Sequence, residues 1–212
     1  MEKNKKEEEI KLKEVFGDKR VLGLAGEKNS GKTNNLMALL KDFRNKNKTT
    51  EIYVFGLEEQ VLNWVKKFEN VFEISSLEQL RDKKDSLIIL DEFQRLRLND
   101  RRYRDLLNDF IDFIYHNNNW VIFSSPNLRE FNSIICGKIE RWALKSLRLK
   151  DLICGSQLKE AVLGYNGRFK CINDISIEPE KLLIINEDYE RVIELDYIKD
   201  VDTKFKSKDI FE

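Results

Sequence analysis

A chain of 212 residues with 41% hydrophobic side chains is long enough for one α/β domain with a buried core, alone or with a modest extension. Lys plus Arg equals Asp plus Glu at 38 each, so no global charge draws the chain to nucleic acid, and any basic surface must be local. No apolar run approaches the ~20 residues of a membrane span and no signal peptide opens the chain, while three scattered cysteines (Cys136, Cys154, Cys171) and a single histidine (His116) support neither a zinc site nor a Ser-His-Asp triad; a cytoplasmic protein with reduced thiols is expected.

Met1 to Glu14 is almost entirely charged and reads as a frayed helix, a disordered arm, or an arm that docks on a neighbouring subunit. Arg20 to Ala25 is an apolar run of strand length. Gly26 then opens the pattern G-x-x-x-x-G-K-T, which closes with Gly31, Lys32 and Thr33. Behind it, Asn34 to Phe43 places Leu36, Met37, Leu39, Leu40 and Phe43 at helical spacing. Strand, glycine-bounded loop and helix are the context in which this pattern cradles a polyphosphate. Backbone N–H groups converge at the helix N-terminus, and the helix dipole adds partial positive charge. Gly26, Glu27, Lys28, Asn29, Ser30, Gly31, Lys32, Thr33 and Asn34 are the expected cradle. Lys32 is expected to reach the β- and γ-phosphates, and the Thr33 hydroxyl to bind Mg2+.

Arg44 to Lys48 reads as a polar connector. Glu51 to Phe55 is a second strand, Glu58 to Phe68 a helix, Val71 to Ile74 a short third strand, and Leu77 to Arg81 the start of another helical piece. Alternation of strand and helix predicts a parallel sheet covered by helices, with its ligand at the strands' C-terminal ends. Ser86 to Leu90 is a continuous apolar run, as in a strand buried on both faces, and it stops at Asp91-Glu92. Acids at such a tip predict a Walker-B arrangement: Asp91 for the Mg2+ ion, usually through water, and Glu92 to polarise the attacking water. The alternative is a solvated acidic turn. The guanine signature N-K-x-D is absent, since Asn45-Lys46-Asn47-Lys48 ends in Lys, so ATP rather than GTP is expected.

Arg95, Arg97, Arg101, Arg102 and Arg104 crowd the next ten residues. They suit a solvated helix face, an arginine finger reaching a neighbour's γ-phosphate, or phosphate contacts to nucleic acid. Leu106, Phe110, Phe113 and Ile114 follow on one helical stripe. Trp120 to Ser125 is another buried strand, ending in hydroxyls and then Pro126-Asn127. If it lies between the two motif-bearing strands, Ser125 or Asn127 could sense the γ-phosphate; a capped strand-end turn is the alternative. Trp142 to Leu149 is a fifth core strand or a basic amphipathic helix. Ile153 to Gly164 reads as a linker or short helix and Phe169 to Ile175 as a strand. Leu182 to Ile185 and Arg191 to Leu195 form a hairpin across Asn186 to Glu190, and Lys204 to Glu212 is frayed. Residues 1–14 are thus an arm, 15–150 the core, and 151–212 a β-rich extension packed on it.

Walker A at Gly26 to Thr33, Walker B at Leu87 to Glu92 and a polar-tipped strand at Trp120 to Ser125 resemble the HerA–FtsK class of additional-strand P-loop ATPases. The compact length is similar to that of genome-packaging ATPases of archaeal and membrane-containing viruses, and Asp-Glu-Phe at 91–93 is similar to conjugative coupling proteins. The resemblance spans about residues 20–150. It implies an α/β P-loop NTPase (RecA-like) fold with a mostly parallel central sheet. It also implies a homo-oligomeric ring with ATP at each interface, a trans arginine, and double-stranded DNA driven through the centre. Lys32, Thr33, Asp91 and Glu92 carry over by position. One departure is plain: such ATPases end the sensor strand with glutamine, where this chain has Pro126 followed by Asn127. A nucleotide-dependent switch binding a protein partner, and a small-molecule kinase with Arg95 to Arg104 as lid, are the rival readings.

Overall fold

The computed structural model describes residues 15–27, 29–96, 101–126, 131, 133–145, 181–186 and 189–201. The charged arm, Ile153 to Gly164, Phe169 to Ile175, Cys154, Cys171 and Lys204 to Glu212 lie outside them. Eight strands form one sheet: β1 (Val21–Ala25), β2 (Ile52–Phe55), β3 (Val71–Glu73), β4 (Leu87–Leu90), β5 (Trp120–Ser125), β6 (Arg141–Leu144), β7 (Lys181–Asn186) and β8 (Tyr189–Glu194). Their order is β3-β2-β4-β5-β1-β6-β7-β8. The first six strands pair in parallel, and β7 and β8 continue the sheet antiparallel from β6. Helices α1 (Lys32–Lys46), α2 (Glu59–Val65), α3 (Arg101–His116) and α4 (Ser133–Cys136) connect them. The expected α/β fold with a mostly parallel sheet is the observed one. None of the described helices is long and apolar enough to cross a membrane.

Alternation along the strands divides the core in two. Leu22, Leu24, Leu87, Ile89 and Ile122 face Leu36, Met37, Leu39, Leu40 and Phe43 of α1. Val21, Ala25, Ile88, Leu90, Val121 and Phe123 face Leu107, Phe110, Ile111 and Ile114 of α3. Both faces are covered, which explains why β1, β4 and β5 read as unbroken apolar runs rather than alternating ones.

Two local readings change and one open alternative closes. Helix α1 starts at Lys32 and runs to Lys46, so Arg44 is not in a connector. It is buried in the last turn and donates to the Asn47, Lys48 and Asn70 carbonyls at 3.2, 2.8 and 3.2 Å, tying the helix end to the turn that follows it and to the entry of β3. Leu77–Leu80 is a 3-10 turn held by a Ser76/Gln79 capping box, not a longer helix. Of the ambiguous stretch from Trp142, the described part is strand β6, parallel to β1; residues 146–149 lie outside the described residues. The hairpin forms as expected, with Asn186 opposite Tyr189. Beyond it, Leu195 to Val201 lies along the α1–α2 face, where Leu195, Ile198 and Val201 are buried. Lys41 meets Asp196 at 3.6 Å there, and Gln60 donates to the Asp200 carbonyl at 3.0 Å.

Candidate active site

Strand β5 lies between β4 and β1, so the acid-tipped strand and the glycine-loop strand are separated by one inserted strand. At their C-terminal ends, Gly26 to Thr33 bridges β1 and α1. Gly31 caps α1 at φ 92°, a left-handed conformation open to glycine at little cost, and no side chain caps the helix. The first helical bond runs from the Asn35 N–H to the Gly31 carbonyl at 3.0 Å, so the N–H groups of Lys32, Thr33 and Asn34 precede the ladder. A Cβ on Gly26 would lie 2.5 Å from the Lys145 Cβ of the neighbouring β6 tip, so only glycine fits there. Ser30 is buried and its hydroxyl oxygen has no hydrogen-bond partner. Lys28 lies outside the described residues.

Lys32 is folded into its own loop. Its ammonium donates to the Gly26 and Glu27 carbonyls at 2.8 and 2.7 Å. Burial lowers its pKa, and the charges of Asp91, Glu92 and Glu27 offset this only in part. Asp91 sits across the loop at the β4 tip, 7% exposed, with its backbone N–H on the Phe55 carbonyl at 2.9 Å. Burial pushes its carboxyl above the usual carboxylate range. The Ser124 hydroxyl beside it pulls the other way, although its oxygen makes no hydrogen bond of ordinary geometry. The Glu92 N–H donates to Asp91 Oδ1 at 3.1 Å.

Ser124 is the residue that sequence reasoning missed. Leu90 pairs with Phe123 and Leu24 with Ser124, so residue 124 comes opposite Asp91 on the α1 face. Ser125 pairs with Ala25 and belongs to the α3 face, away from the loop helix. The apolar runs of β1, β4 and β5 carry no alternation that would have told the two faces apart. Asn127 lies outside the described residues. Asn34, expected in the cradle, commits its side chain elsewhere: its amide donates to the Ile198 carbonyl at 2.8 Å and accepts the Ile198 N–H at 3.1 Å. Only its backbone N–H remains for the loop.

Glu92 adopts φ 45°, uncommon for a side chain this size. Its carboxylate forms an ion pair with Arg95 of the same chain. Arg97 lies outside the described residues. Arg101, Arg102 and Arg104 occupy the first turn of α3.

The residues present fit a magnesium ion. Thr33 and Asp91 supply hard oxygens, and the Asp91 carboxyl is buried. Among the described residues no three or more His, Cys, Asp or Glu side chains are grouped so as to hold a metal ion by themselves. A groove of about 400 Å³ lined by Glu51, Tyr53, Phe72 and Lys83 lies at the β3 edge, and none of these belongs to the loop or the β4 tip.

No protein-family model and no curated protein matches the chain. Solved structures do. The chain is similar to B204, the DNA-packaging ATPase from Sulfolobus turreted icosahedral virus, at 11% identity and TM-score 0.57 over 84% of this chain and 98% of that one. It is similar to the pCW3 conjugation coupling protein TcpA, solved with ATPγS, at 13% identity and TM-score 0.55 over 85% of this chain and 61% of that one. It is also similar to the cytoplasmic domain of the Thermomonospora curvata type VII secretion ATPase EccC, at 10% identity and TM-score 0.62 over 88% of this chain and 26% of that one. At these identities the likeness shows the fold alone, a mostly parallel α/β sheet shared with these three proteins.

Proposed function

We propose that this chain is a Mg2+-dependent ATPase and works as an oligomeric motor on double-stranded DNA. The observation that carries the reading is the convergence of Lys32, Asp91 and Ser124 at one end of the sheet, around a helix N-terminus with no side-chain cap. On this reading the N–H groups of Gly31 to Asn34 and the Ser30 hydroxyl bind the phosphates. Lys32 leaves the Gly26 and Glu27 carbonyls for the β- and γ-phosphates, where its charge offsets charge developing on the transferred phosphoryl. Thr33 and Asp91 would hold Mg2+, whose charge neutralises the phosphates. Glu92 orients and deprotonates the attacking water. Ser124 takes the sensing role expected of Ser125 or Asn127.

DNA as the substrate is supported by the likeness to a DNA-packaging ATPase and a conjugation coupling protein, and by the arginine-rich stretch from Arg95 to Arg104. A neighbour's arginine from that stretch (Arg95, Arg97, Arg101, Arg102 or Arg104) would complete the site, making hydrolysis depend on assembly. Residues 15–150 would form the motor core, 151–212 an extension packed on it and 1–14 a charged arm, in a cytoplasmic protein. The likeness to EccC favours a second reading, a motor acting on a protein.

The test is the ATP hydrolysis rate against protein concentration, with and without duplex DNA. The rate per subunit should rise with concentration and rise again with DNA. Glu92→Gln should keep ATP binding and lose turnover by about 10²–10⁴-fold, whereas Lys32→Ala should weaken binding itself. Hydrolysis indifferent to DNA but raised by a protein substrate would favour the second reading. Unchanged turnover in Glu92→Gln would remove Glu92 from the mechanism.

A further inference from the structure

Lys145 is the most deeply buried charge among the described residues. It follows the last residue of β6 and is 0% exposed, against 8% for Lys32 and 7% for Asp91. Its backbone N–H donates to the Ala25 carbonyl at 2.8 Å, and its ammonium donates to the Lys181 carbonyl at the start of β7. Its stem lies against the first glycine of the loop: a Cβ on Gly26 would meet the Lys145 Cβ at 2.5 Å and its Cα at 3.2 Å.

A tie between β6 and β7 does not call for an ammonium. The ladder already pairs Trp142, Ala143 and Leu144 with Ile185, Ile184 and Leu183. A buried charge is costly where an apolar side chain of the same length would pack. The place of this charge suggests what it is for. The sheet order puts β5 and β4 on one side of β1 and β6 on the other. Leu90, Ala25 and Leu144 belong to the α3 face, so by alternation Asp91, Gly26 and Lys145 belong to the α1 face. Asp91 and Lys145 thus flank the loop on the same face, one on each side of β1. A polyphosphate gripped at the N-terminus of α1 has a carboxylate on one flank and an ammonium on the other. Its metal-bound end goes with Asp91, and the α-phosphate is left for the side of β6.

We propose that Lys145 is a second phosphate-binding lysine: when nucleotide binds, its ammonium leaves the Lys181 carbonyl for the α-phosphate, on the flank of the loop opposite Asp91. This rests on the ATP-binding reading above. The exchange has a direction because a carbonyl is a neutral acceptor and a phosphate oxygen a charged one, and charge-assisted hydrogen bonds are roughly twice as strong. It is the same exchange that Lys32 makes from the Gly26 and Glu27 carbonyls. The two lysines differ in what they read. Lys32 reaches the β- and γ-phosphates, whereas Lys145 meets a phosphate that ADP and ATP share.

That difference gives the test. Binding of ADP and of ATPγS, each with Mg2+, is measured by calorimetry on the full chain. Lys145→Met keeps the stem and removes the charge. It should weaken both nucleotides by the same factor, about ten- to hundredfold, while the melting temperature without nucleotide stays level or rises. Lys32→Ala should cost ATPγS more than ADP. Lys145→Gln keeps a donor for the Lys181 carbonyl without the charge, and should bind nucleotide as weakly as Lys145→Met. A wild-type crystal with Mg2+ and ADP reads the contact with no substitution at all: the Lys145 Nζ should lie within about 3.2 Å of an α-phosphate oxygen.

Unchanged nucleotide affinity in Lys145→Met overturns the inference. So does affinity that Lys145→Gln restores, since the tie to β7 would then be what matters. A greater loss for ATPγS than for ADP overturns the assignment to the α-phosphate, and an Nζ still on the Lys181 carbonyl in the ADP crystal overturns it directly. A wild type that binds neither nucleotide removes the ATP reading and this inference together, whereas binding that depends on Lys32 but not on Lys145 removes this inference alone.

Discussion

Ser124→Ala separates function from stability at a single buried atom. In the ligand-free protein the Ser124 hydroxyl is fully buried and has no hydrogen-bond partner of ordinary geometry. A buried unpaired hydroxyl costs about 1–3 kcal/mol. Its pull on the Asp91 carboxyl returns part of that, and burial dominates at Asp91 in any case. Removing the hydroxyl should thus leave stability unchanged or raise it by up to about 1 kcal/mol, a Tm shift of at most about 2–4 °C for a chain of this size. Hydrolysis should move the other way. If the hydroxyl finds its partner only when nucleotide is bound, its loss removes a hydrogen bond made in the transition state, and each ~1.4 kcal/mol is tenfold in rate. The expected loss is about tenfold to a hundredfold at saturating ATP. Thermal unfolding and steady-state hydrolysis on the same preparations measure both. Ser125→Ala is the control, since Ser125 lies on the α3 face and should leave the rate within about twofold. A Ser124→Ala protein that melts lower and hydrolyses normally, or a Ser125→Ala protein that loses activity, would refute the assignment of faces.

Asn34→Ala should remove both bonds to Ile198 and strand a buried N–H and C=O, destabilising the protein by about 2–4 kcal/mol; limited proteolysis should then cut near residues 195–201 faster than in wild type, and an unchanged digestion pattern would show that the segment docks without it. Asp91→Asn should stabilise the ligand-free protein while abolishing Mg2+-dependent hydrolysis. The sign follows from burial raising the Asp91 pKa above its unfolded value: the contribution is favourable below the unfolded pKa and is lost as pH rises through the folded one. The Tm gap between variant and wild type should therefore open as pH climbs past about 4, and parallel curves would contradict it. Burial pushes the Cys136 thiol from 9.0 up to about 11. At pH 8 iodoacetamide should label it roughly a hundredfold more slowly in the folded than in the unfolded chain, as thiolate fraction dictates; site-resolved mass spectrometry checks this.

The sheet was legible because its strands announce themselves. Val21 to Ala25, Leu87 to Leu90 and Trp120 to Ser125 are short runs bounded by Gly, Asp-Glu and Pro, and burial on both faces removes the alternation that would confuse them with amphipathic helix. The glycine loop was legible because its residues answer local demands, such as the positive φ at Gly31. Illegible were the pairings that depend on strand order. Whether residue 124 or 125 comes opposite Asp91 follows from β5 lying between β4 and β1, a fact about topology that no local pattern carries. The Asn34–Ile198 bonds join residues 164 positions apart, so the reading of Asn34 as a cradle side chain had nothing local against it. Arg44 looked like a connector for a similar reason: its acceptors at Asn70 come from another strand's entry.

Four local rules are broken within this one corner of the sheet. Lys32 is desolvated, Asp91 is buried, the Ser124 hydroxyl lacks a partner, and Glu92 holds a positive φ. Elsewhere polar side chains find partners in the chain itself: Arg44 donates to the Lys48 carbonyl, and Asn34 bonds both the N–H and the C=O of Ile198. Several such conflicts gathered at one place mark a candidate binding site. A polyphosphate with its counter-ion would supply what three of the four lack: an anion for the Lys32 ammonium, a cation for the Asp91 carboxylate and an acceptor for the hydroxyl. The groups whose burial lowers the stability of the protein would then raise its affinity for that ligand, because binding offsets the cost of burying them.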